Sequence, residues 1–71
     1  MNRTQALRLA ITALEFRRAR FRVDANIAEK LGADTPAFKA ALKTVDDCTQ
    51  AINILRQELE AQTHYPAQVI Q

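Results

Sequence analysis

Between residues 36 and 62 the apolar positions alternate by three and four: Phe38, Ala41, Val45, Cys48, Ile52, Leu55 and Leu59. That spacing puts them on one stripe of an α-helix, the seam of a coiled-coil-like contact. Lys39, Lys43, Asp46, Asp47, Gln50 and Gln57 fall on the other side. The pattern predicts a helix over about 36–63 that buries a single face.

The first half of the chain is patterned differently. At about 100° per residue, Leu9, Phe16, Val23 and Ile27, extended by Ala13 and Leu31, form one apolar stripe. Leu7, Ile11, Leu14, Phe21, Ala25 and Ala28 form a second, nearly opposite, joined to the first through Ala6 and Ala10. Only the sector of Thr4, Arg8, Thr12, Glu15, Arg22, Asn26 and Lys30 is fully polar. A helix over about 2–32 with two such stripes has to be covered on more than one side.

Local signals set the ends of both helices. Asn2 with Gln5 three residues on has the form of a capping box. Gly32 suits a helix C-terminus, Thr35 an N-cap and Pro36 a first helical position, so residues 32–35 predict a short turn between two helices. Tyr65-Pro66 is expected to end the second helix, because a residue before proline is pushed away from helical angles. Residues 1–64 then form one helical hairpin and residues 65–71 a loose tail, whose Val69 and Ile70 are free to dock on a neighbour.

Folding back at the turn, an antiparallel hairpin has a register in which Leu9 meets Leu59, Ala13 meets Leu55, Phe16 meets Ile52, Val23 meets Val45 and Ile27 meets Ala41. Small side chains then face large ones, as interdigitated packing requires. This register consumes the first stripe and leaves the second without an intramolecular partner. Burying one such side chain is worth roughly 1.5–3 kcal/mol, so a second copy is the expected cover. The predicted fold is all-α: an antiparallel two-helix hairpin that dimerises into a four-helix bundle or coiled-coil-like assembly. Its oligomer interface is expected at Leu7, Ile11, Leu14, Arg18, Phe21, Ala25 and Ala28.

Composition supports association. A chain of 71 residues hides a small share of its surface, and such chains add a disulfide, a metal or a partner subunit. A single cysteine, Cys48, excludes an internal disulfide, and one Cys with one His, His64, makes no zinc framework. A homo-oligomer remains, with no cofactor and no metal. No apolar run approaches the roughly 20 residues needed to span a bilayer, and the N-terminal segment lacks signal-peptide architecture. A cytoplasmic protein is expected.

The net charge of +2 argues for no polyanion partner by itself, but its distribution is uneven. Residues 1–33 carry six Arg and one Lys against three acids, while residues 34–71 carry three bases against five acids. Two helices of opposite sign attract each other lengthwise. The stretch EFRRARFRVD concentrates four arginines, yet the helical projection scatters them and interleaves Glu15 and Asp24. A phosphate-reading helix gathers its bases on one face. The structural reading pairs Arg20 with Asp46 or Asp47 and brings Glu15 near Arg22 of a second copy, with Phe16 and Phe21 both in the core. The alternative has Arg3, Arg8, Arg18 and Arg22 contacting nucleic acid.

The remaining candidate chemistry is thin. Cys48 lies on the seam, where a cysteine acts as a small apolar filler, although Arg20 is a candidate activator of its thiol. His64 falls in the last helical turn and reads as a helix-end residue. Asp46 and Asp47 point about 100° apart and do not converge on one substrate atom. Arg17, Arg20 and Lys43 could hold a dicarboxylate, but no general acid or nucleophile accompanies them. The expected function is a non-catalytic helical interaction or scaffolding module, or accessory subunit, acting as a homo-oligomer. The alternative is a small nucleic-acid-associated regulator that uses the basic first helix.

Overall fold

A computed structural model of the chain describes the backbone of residues 1–70 and the side chains of residues 1–62. Two α-helices, α1 (Arg3–Leu31) and α2 (Pro36–Ile70), pack against each other as a hairpin, with no strand among the described residues. The hairpin measures 57 × 19 × 12 Å, so its thinnest dimension is that of one helix.

The capping box predicted at the start of α1 forms, whereas Gly32, suited to close the helix in the left-handed helical conformation, closes it at φ 146°, ψ 121° instead. The Asn2 side chain accepts from the Gln5 N–H at 2.8 Å, and the Gln5 side chain accepts from the Asn2 N–H at 3.0 Å. Two N–H groups that the helix cannot satisfy itself are thereby paired. At the other end the Gly32 N–H donates to the carbonyls of Ala28 and Glu29. Gly32 adopts φ +146°, where a side chain is strained, and a Cβ there would lie 3.2 Å from the Thr35 methyl.

The same turn starts α2. The Thr35 hydroxyl donates to the Gly32 carbonyl at 2.8 Å and accepts from the Phe38 N–H at 3.3 Å. Pro36 takes the first helical position, where its missing N–H costs nothing. The backbone of α2 continues through Tyr65-Pro66 to Ile70, beyond the end expected from the proline. A proline within a helix forgoes one backbone bond, and the turns on either side carry the helix past it here. The expected roles of His64, Val69 and Ile70 concern side chains outside the described residues.

The seam of α2 is the one its sequence pattern predicts. Ala41, Cys48 and Ile52 are buried, and Phe38, Val45, Leu55 and Leu59 are half-buried. The stripe of α1 that meets it is the opposite of the one expected. Leu7, Ile11 and Ala25 are buried, and Leu14, Arg18, Phe21 and Ala28 are half-buried. Since α2 is the only other element, these residues face it and are not left open for a second copy. Leu9, Phe16, Val23, Ile27 and Leu31, assigned above to the interior, are all more than half exposed. Phe16 is therefore a surface residue, not a core one.

Both stripes of α1 follow the same three-four spacing, so each could line up with the seam of α2. Two terms separate them. Had the first stripe turned inward, Arg17 and Arg56 would flank the seam at facing positions, a like-charge contact. The observed register instead places Glu15 against Arg56, 2.6 Å apart, and Arg3 against Glu58. The second term is the turn. Its short span forces the helices close together, and Ala25 and Ala28 allow that approach opposite Phe38 and Ala41, where Val23, Ile27 and Leu31 would wedge them apart.

Two substitutions two residues apart report this arrangement. Ile52 is fully buried and Ile54 is 63% exposed. Ile52→Ala is expected to cost about 2–5 kcal/mol, and Ile54→Ala less than about 0.5 kcal/mol, in chemical denaturation followed by helicity. Gly32→Ala should cost about 1–2 kcal/mol through its positive φ. Equal effects at 52 and 54 would show that the seam has been misassigned.

Candidate functional site

Among the described residues, the exposed large apolar side chains gather mainly on the outer face of α1. Leu9, Ala13, Phe16, Arg20, Val23 and Ile27 all project within an arc of about 80° and are exposed, with Leu31 continuing the line. Phe16, at 73% exposure, is the most open aromatic side chain among the described residues. A contiguous apolar stripe of this kind, rimmed by polar groups, marks an interaction surface more often than scattered apolar residues do. Among the described residues of α2 the exposed large apolar side chains are Leu42, at the edge of the seam, and Ile54.

Charged groups border the stripe on one side. Arg20 sits within it and reaches Asp24 at 3.8 Å, one helical turn on. Arg17 lies beside it, its guanidinium carbon 5.1 Å from the centre of the Phe21 ring. That stacking holds the Arg17 side chain along the flank of α1. Thr12, Ala19, Asn26 and Lys30 border the other side, where Lys30, at the C-terminal end, carries the one charge.

The expected oligomer residues Leu7, Ile11, Leu14, Arg18, Phe21, Ala25 and Ala28 are occupied within the hairpin. Arg18 is the polar member of that line, and its guanidinium donates to the Thr49 hydroxyl at 3.3 Å. The Thr49 hydroxyl in turn donates to the Val45 carbonyl. Arg20 does not pair with Asp46 or Asp47; it turns to Asp24, and Asp46 instead accepts from the Gln50 amide at 2.7 Å. Glu15, expected near Arg22 of a second copy, is engaged by Arg56 of its own chain.

Of the four arginines named for nucleic acid, Arg3 is paired with Glu58 and Arg18 with Thr49. Arg8 and Arg22 remain exposed in one sector, with Glu15 between them. Cys48 is a buried free thiol, so it fills the seam as expected of its position. Arg17 and Arg20 are exposed on the surface of one helix, stacked on Phe21 and turned to Asp24, and do not close a pocket with Lys43. The shallow depression beside Asn26, Glu29 and Lys30 lies on one helix face. Among the described residues no group of His, Cys, Asp and Glu is placed to hold a metal, and no helix is long and apolar enough to cross a membrane.

No family model, no curated protein and no solved structure matches the chain. The site therefore rests on its own geometry. One signal could have identified the outer stripe from sequence: the facing charges beside each possible seam, where Arg17 against Arg56 disfavours the first stripe and Glu15 against Arg56 favours the second.

The same pair provides a test of register. Arg56→Glu and Glu15→Arg should each lower the melting temperature slightly, and the double exchange should recover most of the loss. The coupling expected for a pair this exposed is about 0.2–1 kcal/mol in a double-mutant cycle. Additive losses would mean that the two side chains do not meet.

Proposed function

We propose that this chain is a small non-catalytic interaction or scaffolding module, an accessory subunit that acts as a homo-oligomer through the outer face of α1. The observation that carries the proposal is the stripe of Leu9, Phe16, Val23, Ile27 and Leu31, more than half exposed on a helix whose other apolar face is already filled by α2. Leaving these side chains in water forfeits several times the roughly 1.5–3 kcal/mol that burial of each would contribute. Two hairpins joined there make a four-helix assembly.

Support for a separate chemical role is slight. The depression beside Asn26, Glu29 and Lys30 is open and lies on one helix face. Of the four arginines expected at a nucleic-acid contact, Arg8 and Arg22 have an ion-paired Glu15 between them, while Arg3 pairs with Glu58 and Arg18 bonds Thr49.

Light scattering across a dilution series tests the reading. The native chain is expected at a multiple of its 8.0 kDa mass, and Phe16→Glu at the monomer mass with its helicity retained. A native chain that stays monomeric throughout would overturn the homo-oligomer. Duplex binding that falls steeply with salt and is lost in Arg8→Glu with Arg22→Glu would favour a regulator using the basic helix.

A further inference from the structure

The outer stripe of α1 carries information about what covers it. Its members Leu9, Ala13, Phe16, Arg20, Val23 and Ile27 are spaced four, three, four, three, four, which reads the same in both directions. A stripe with this property can meet an antiparallel copy of itself layer by layer about a two-fold axis, as an isologous contact requires. Spacing alone permits several registers, and the residues distinguish them.

We propose that two copies associate through α1 in one antiparallel register: Leu9 opposite Ile27, Ala13 opposite Val23 and Phe16 opposite Arg20 of the second copy. The inference rests on the reading of the outer stripe as a self-association face and specifies how that face is used. Each layer is chemically matched. Leu9 meets a branched apolar side chain, the small Ala13 leaves room for Val23, and the Arg20 guanidinium lies against the ring of Phe16.

The flanking charges select the register. Flanking positions of antiparallel helices face each other as Glu15 and Arg56 do across the intramolecular seam. Applied to the outer stripe, that relation sets Arg17 of each copy against Asp24 of the other, giving two symmetry-related opposite-charge pairs. The opposite flank brings Thr12 to Ala19 and Gln5 to Asn26, pairs without charge, with Lys30 beyond them. Sliding one copy by a heptad in one direction sets Asp24 against Asp24, and in the other sets Arg17 against Arg17. Each slide also uncovers part of the stripe. A parallel pair stacks Arg20 on Arg20. The chosen register alone among these covers the stripe and brings unlike charges together.

Arg17 is already held for this contact by its stacking on Phe21, and Asp24 shares the flank with Arg20. The resulting dimer has the two α1 helices at its centre, an α2 on each side and its two turns at opposite ends. None of the proposed contacts competes with the seam inside each hairpin.

The test uses the full chain with Arg17→Glu and Asp24→Lys, both at surface positions. Arg17→Glu alone places acid against Asp24 in both pairs of its dimer, and Asp24→Lys alone places base against Arg17. Each variant should weaken self-association by about tenfold, the scale for two surface ion pairs made repulsive. Mixing the two variants in equal amounts restores opposite charge at both pairs and should return dimer strength to near the native level. Circular dichroism of each variant verifies that the hairpin remains helical. Recovery on mixing, read by light scattering or sedimentation, supports the register. A native dimer that Phe16→Glu dissociates but that shows no recovery on mixing would overturn this register while leaving self-association through the stripe intact. A native chain that is monomeric at every concentration would overturn both.

Discussion

Two helices joined by a short turn share a single contact surface, and everything else in this molecule follows from that limit. The seam covers one stripe of each helix. On α2 this covers most of the apolar surface, because Phe38, Ala41, Val45, Cys48, Ile52, Leu55 and Leu59 lie along one line, with Leu42 and Ile54 outside it. On α1 it does not: once Leu7, Ile11, Leu14, Phe21, Ala25 and Ala28 are turned towards α2, the stripe from Leu9 to Leu31 stays in solvent. The hairpin is thin, and among the described residues no third layer covers that stripe.

The seam also organises the polar groups around it. Arg18 occupies a layer otherwise apolar and takes its guanidinium sideways to Thr49. Such a residue adds less stability than an apolar one would, but it disfavours alignments in which the charge lacks an outlet. Arg3 with Glu58 and Glu15 with Arg56 bracket the same seam near its open end. At the closed end the work passes to Gly32 and Thr35, whose hydrogen bonds end one helix and begin the next. The helices are thus aligned by charge at one end and by covalent connection at the other.

This arrangement gives the outer stripe its significance. Its apolar residues lie outside the hairpin seam, and the charges beside it are unevenly placed, with Arg17, Arg20 and Asp24 on or beside the stripe and only Lys30, at the C-terminal end, on the opposite border. A surface built only for solubility would scatter its apolar residues among its charges. A face whose apolar line is broken only at Arg20, with charges that pair in the proposed register, is suited to meeting itself.

The sequence by itself determined that the chain is two helices, where α1 starts, how the turn is built and which stripe of α2 is buried, because each depends on neighbours a few residues apart. The Asn2–Gln5 box, Gly32, Thr35-Pro36 and the alternation from Phe38 to Leu59 are all local or periodic signals. Which stripe of α1 turns inward was decided only by tertiary structure. Both stripes share one spacing and a similar apolar content, so periodicity is blind to the difference. The choice lies in pairwise contacts between residues far apart in sequence: Glu15 rather than Arg17 beside Arg56, and alanines rather than branched side chains where the turn draws the helices together. Local pattern specifies the helices, and the choice between their faces belongs to the pairing.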